Sequence, residues 1–128
     1  MHNMTSSELI AQLTNDANLV DGKPTWECAE EKKHDLEFMK RCCDAELLTM
    51  KTGGFVAAPY YFERVAILSR QLKNYEQEIA YCELYINEVE SFYKTTDSAN
   101  ADVRNGARYK AIVKRLCKAK ELKTLQKL

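Results

Sequence analysis

Apolar residues recur at intervals of three and four along most of the chain, and the most regular series is Tyr75, Ile79, Cys82, Ile86, Val89 and Tyr93, five turns of one helical stripe. Just before it, Tyr61, Val65, Leu68 and Leu72 recur at i, i+4, i+7 and i+11, with Pro59 at or near the first helical position and only Lys73-Asn74 separating the two series. The pair predicts a helical hairpin. Upstream, Leu36, Met39, Cys43, Leu47 and Met50 form the stripe of a helix expected to start after Thr25, with Glu27, Glu30 and Glu31 near its positive end, and to stop at Gly53-Gly54. "TSSELIAQL" opens with Thr5 three residues before Glu8, a capping-box spacing, and predicts a short helix to about Leu13. The polar stretches "TNDANLVDGKP" and "TTDSANAD" read as breaks, and a last helix runs from about Asp102 or Asn105 to the C-terminus. No run of alternating β-branched residues, and no hairpin dipeptide between such runs, reads as strand.

These elements define an all-α fold of about five helices, an antiparallel helical array with the hairpin at its centre. A length of 128 residues fits one domain able to bury roughly two thirds of its unfolded surface. The expected organisation is a single domain over residues 1–128, with 1–24 as a loose N-terminal segment and 120–128 as a tail that frays or meets a partner.

The stretch "PYYFERVAILSRQLKNYEQEIAYCELYINEVE", Pro59 to Glu90, resembles one degenerate tetratricopeptide repeat. Phe62 falls at that family's large aromatic, Val65 at its leucine, Ala66 at its small contact residue, and Tyr75 at the aromatic opening the second helix. Ser69 replaces a usual tyrosine, Lys73 a turn glycine, Glu78 and Tyr85 two small residues, and Glu90 the closing proline. Asn74 is expected to supply the left-handed turn that glycine would otherwise provide. The resemblance implies a scaffold that binds peptides or proteins and has no catalytic residues, with flanking helices capping the single repeat.

Charge changes the picture more than its net value of zero suggests. Residues 1–103 hold 18 acids and 10 bases, whereas 104–128 hold nine bases against the single acid Glu121. An acidic body therefore ends in a basic helix, a pattern that fits contact with nucleic acid or internal neutralisation. Tyr109, Ile112, Val113, Leu116 and Ala119 form the apolar side of that helix; Arg104, Arg108, Lys110, Lys114, Arg115 and Lys118 fan across the other. Beyond Ala119 the pattern breaks, and the displaced Leu122, Leu125 and Leu128 fit either a partner or a homodimer.

Candidate chemistry is sparse. The five cysteines are odd in number and lack C-x-x-C spacing, which fits reduced packing thiols in a cytoplasmic protein. Glu31 and His34 have a Glu-x-x-His spacing, but a carboxylate-bridged metal site needs a second copy, so no metal or cofactor is expected. No apolar run is long enough for a membrane span. With no nucleophile-base pair in evidence, the reading is a non-catalytic protein-interaction module rather than an enzyme. Its expected binding residues are Tyr81 and Tyr85, as a tyrosine flank, with Arg108, Lys110, Lys114, Arg115 and Lys118. The rival reading is nucleic-acid binding through the basic last helix. By analogy alone, small helical chains of this kind also fit an origin in a phage or mobile element.

Overall fold

The computed structural model describes residues 19–95 and 102–128, and the chain divides into two compact units between Ala57 and Ala58. The expected helix at residues 5–13 lies outside the described residues.

In the first unit, β1 (Leu19–Val20) pairs antiparallel with β2 (Lys23–Pro24), Leu19 opposite Pro24 and Val20 opposite Lys23. Asp21 and Gly22 between them have φ of 53° and 78°, the doubly left-handed geometry that suits an Asp-Gly hairpin turn. This small ribbon corrects the expectation of no strand: each strand is two residues long, too short to show alternation, and the Asp-Gly signal stood alone. Arg41 pairs with the Asp21 carboxylate and lowers its pKa.

The helix α1 (Leu36–Gly53) starts later than the expected position after Thr25. Thr25–Cys28 forms a 3-10 turn without a side-chain cap, whereas Asp35 caps α1 by accepting a hydrogen bond from the Phe38 amide at 3.0 Å. Glu31 and His34 consequently lie in the turns before the helix. Met39, Cys43 and Met50 are buried as expected, joined by Phe38, Cys42, Ala45 and Thr49, while Leu36 and Leu47 are half-buried. The buried Thr25 hydroxyl donates to Glu46 at 2.9 Å and fastens the 3-10 turn to α1. Gly54, at φ 72°, closes α1 by donating to the Met50 carbonyl.

The second unit packs three helices: α2 (Pro59–Gln71), α3 (Tyr75–Thr95) and α4 (Ala107–Gln126), with a 3-10 turn at Val103–Asn105. Arg70 meets Glu78 while Phe62 meets Tyr85, so α2 and α3 run antiparallel. Glu78 meets Arg115 while Tyr85 meets Tyr109, so α4 reverses again and lies parallel to α2. The hairpin turn between α2 and α3 differs from expectation at one residue. Lys73, not Asn74, is left-handed, at φ 58°; its amide donates to the Arg70 carbonyl and the Asn74 amide to the Ser69 carbonyl. That paired geometry is a Schellman closure. Asn74 is thereby freed to open α3, its side-chain oxygen accepting from the Gln77 amide at 3.1 Å.

The buried face of α3 is rotated from the expected stripe. Glu78, Cys82, Tyr85 and Val89 are buried, whereas Tyr75, Ile79, Ile86 and Tyr93 are only partly covered. On α2, Tyr61, Val65 and Leu68 are buried with Phe62, Ala66 and Ser69, while Leu72, past the helix end, is 66% exposed. On α4, Tyr109, Ile112 and Ala119 are buried and Val113 faces solvent. The stretch expected to fray stays helical to Gln126. Lys123 reaches Glu76 at 3.4 Å, and the Gln126 amide donates to the Lys73 carbonyl at 3.3 Å. No described helix is long and apolar enough to cross a membrane.

Candidate functional site

Three helices meet at one buried acid and two arginines in the second unit. Arg70 lies in the last turn of α2 and Glu78 in the first turn of α3, so each charge complements the dipole of its own helix. Glu78 is fully buried. Its carboxylate accepts from Arg70 Nε at 3.0 Å and NH2 at 2.8 Å, and from Arg115 NH1 at 2.9 Å. Arg70 NH2 also donates to the Arg115 carbonyl at 3.3 Å. One carboxylate therefore holds two guanidinium groups, and the cluster keeps a net positive charge. The guanidinium fork allows this, because each arginine has more donors than one carboxylate can absorb.

A groove of about 270 Å3 opens over this cluster, lined by Glu63, Arg70, Ala111, Lys114, Arg115 and Lys118. Glu63, the one acid in the lining, accepts from Arg108 at 2.8 Å, and that guanidinium also lies 5.0 Å from the Tyr60 ring centroid. Lys118 is only loosely tied, to Glu121 at 3.5 Å, and Lys114 is exposed with no ion pair among the described residues.

Of the expected binding residues, Lys114, Arg115 and Lys118 come together in the groove. Arg108 stands beside it through Glu63, and Lys110 is exposed on α4 without lining it. Tyr81 is half-buried on α3 and does not line the groove. Tyr85 requires correction: it is fully buried, with its ring centroid 4.7 Å from that of Phe62 and 6.1 Å from that of Tyr109. A side chain so enclosed packs the three helices together and presents no surface to a partner. Sequence reasoning missed Arg70 and Glu78 as site residues. The signal was available in the spacing of Glu78, Cys82, Tyr85 and Val89, which share one helical angle.

Internal neutralisation takes up much of the basic helix and the turn before it. Arg104 binds Asp102 at 2.5 Å and Glu90 at 3.0 Å, and its guanidinium lies 4.6 Å from the Tyr93 ring centroid. Tyr109 donates to Glu90 at 3.0 Å; burial and that bond push its phenol up to about 12. The Val103 amide donates to the Tyr93 hydroxyl at 2.9 Å.

Burial, the largest influence, raises the Cys42 and Cys82 thiols to about 12 and the Cys43 thiol higher still, which suppresses the reactive thiolate. Cys117 alone among the described cysteines is exposed. No group of three or more His, Cys, Asp or Glu among the described residues is arranged to hold a metal ion. No family model matches the chain, and neither a curated protein nor a solved structure matches it significantly.

Proposed function

We propose that the chain is a non-catalytic protein-interaction module that binds an acidic segment of a partner along the groove between α2 and α4. The observation that carries this reading is the lining itself: Arg70, Lys114, Arg115 and Lys118 converge on one recess, and the only lining acid is already paired with Arg108. The tetratricopeptide-like reading of the hairpin belongs to the same proposal. At two positions where that family has small residues, Glu78 and Tyr85 reach α4 instead, through Arg115 and Tyr109, so the third helix caps the single repeat. A cytoplasmic setting belongs to the same proposal, on the odd number and unpaired spacing of the five cysteines.

Nucleic-acid binding through the basic helix is the second reading. It is weakened because Arg104, Arg108, Arg115 and Lys123 are each paired with an acid of the chain, which leaves fewer cations to release counterions from a polyanion.

The test is fluorescence anisotropy with labelled glutamate-rich peptides beside single- and double-stranded DNA and RNA, at about 150 mM salt, where phosphate-dominated binding is already strongly weakened. Peptide binding that is lost in the double variant Lys114→Glu, Lys118→Glu is expected. Nucleic-acid binding that falls steeply with salt, with no peptide bound, reverses the ranking.

A further inference from the structure

The geometry points to a phosphate monoester, carried on a side chain of the partner segment, as the group that seats in the groove over Arg70 and Arg115. This deepens the protein-binding reading and rests on it for the source of the ester. Three features carry it. The two guanidinium groups are held in place by a buried carboxylate, with side-chain exposures of 30% for Arg70 and 22% for Arg115. They are thus fixed before a ligand arrives yet open to one side, and an arginine fork positioned in this way recognises planar and tetrahedral oxyanions better than a mobile ammonium does.

Donors also exceed acceptors. Glu78 takes Nε and NH2 of Arg70 but only NH1 of Arg115. Arg70 NH1 and Arg115 Nε and NH2 therefore have no partner among the described residues, and the Lys114 and Lys118 ammonium groups stand at the same recess. A carboxylate from a glutamate would be satisfied by one arginine. A phosphate monoester brings close to two negative charges at neutral pH and three acceptor oxygens, which matches a site with cations on both α2 and α4.

Size agrees as well. The recess of about 270 Å3 is several times the roughly 30 Å3 that a water molecule occupies in the liquid. It admits a phosphoryl group with the first atoms of its side chain but is far short of a groove that tracks a nucleic-acid backbone. A phosphodiester presents a single charge and two free oxygens, so it leaves part of the site unmatched.

The experiment uses the full chain and a matched pair of short glutamate-glycine peptides with one central serine, free or phosphorylated, together with O-phosphoserine and inorganic phosphate. Binding is read by calorimetry and by the arginine Nε–H signals of Arg70 and Arg115 in two-dimensional NMR. The phosphorylated peptide is expected to bind at least about tenfold more tightly than its unphosphorylated twin, as charge-assisted contacts to a dianion require. It should shift both arginine signals and lose that advantage in Lys114→Glu, whose exposed side chain leaves the Glu78 cluster intact. O-phosphoserine shifting the same two signals supports the assignment and identifies the ester as sufficient. Inorganic phosphate binding as tightly as the phosphopeptide overturns the peptide source in favour of free phosphate. Equal binding of the two peptides overturns the phosphate inference while leaving the protein-binding reading in place, and failure of both peptides overturns both.

Discussion

Within the three-helix unit, two layers join the same helices with opposite materials. At one level the Tyr85 ring packs against Phe62 and Tyr109 in tilted contacts that join α2, α3 and α4. About 12 Å further along α2, at 1.5 Å per residue, Arg70, Glu78 and Arg115 make the same three-way junction with charges. The aromatic layer is stabilising in any arrangement that excludes water, because the hydrophobic effect has no direction. The charged layer works differently. Taking Glu78 out of water costs several kcal/mol, and the two arginines offset this only with the observed geometry. The first layer supplies stability; the second supplies little net stability but fixes where two cations point.

That division can be broken experimentally. Tyr85→Ala should cause the largest loss, about 3–5 kcal/mol in urea denaturation, as truncating a buried aromatic generally does. Glu78→Ala should cost less than about 3 kcal/mol, below the usual penalty for orphaning a buried charge, because both arginines retain access to water and can rehydrate. If Glu78→Ala proves the more damaging, the charged layer is the main source of stability and the division fails. Ile79→Ala should cost roughly 1 kcal/mol, since Ile79 is only half-buried; a loss as large as that of Tyr85→Ala would restore the stripe expected from the sequence.

Replacing Arg70, Glu78 and Arg115 together by leucine should leave stability within about 1 kcal/mol of the wild type, or raise it, while abolishing anion binding. A large loss in that triple variant would show that the charges cannot be exchanged for apolar packing. A further effect is confined to alkaline pH. Tyr109 holds its proton more tightly in the folded state, with a pKa raised from 10.0 to about 12 by burial and by the bond to Glu90. Its contribution is therefore complete below about pH 10 and is lost as pH rises through about 12. Tyr109→Phe should flatten that part of the stability profile relative to wild type, whereas the shared alkaline loss from Cys42 and Cys82 should remain.

The aromatic layer was more legible in the sequence than the charged one, for a physical reason. Helix existence and the position of the hairpin follow from apolar spacing, so Pro59, the Lys73-Asn74 turn and the α3 run were all readable. The rotation of α3 was not, because Glu78 occupies a buried angle that a search for apolar residues passes over, which moved Tyr85 to a flank. Burial of an acid becomes intelligible only once Arg115, 37 residues from Glu78 and 45 from Arg70, is brought by tertiary structure to the pair that Arg70 and Glu78 make across the hairpin turn. The helix expected after Thr25 opens instead at Asp35, as α1. Both belong to capping types, and the side-chain bond to the Phe38 amide decides it. Lys123 stands at the apolar angle of α4 because it bonds to Glu76 rather than packing, and Gln126 beside it bonds to the α2–α3 turn.

The contacts that join the end of α3 to the start of α4 bear on how the chain could be re-engineered. Tyr93 binds the Val103 amide, Arg104 lies against the Tyr93 ring, and Glu90 holds both Arg104 and Tyr109. The two ends of the connection at residues 96–101 are therefore secured by groups outside it. Closing a longer flexible connection costs only about 0.6 kcal/mol for each doubling of its length. A peptide tag, a protease site or a small reporter domain inserted there should leave the three-helix unit folded, giving the protein a permissive attachment point.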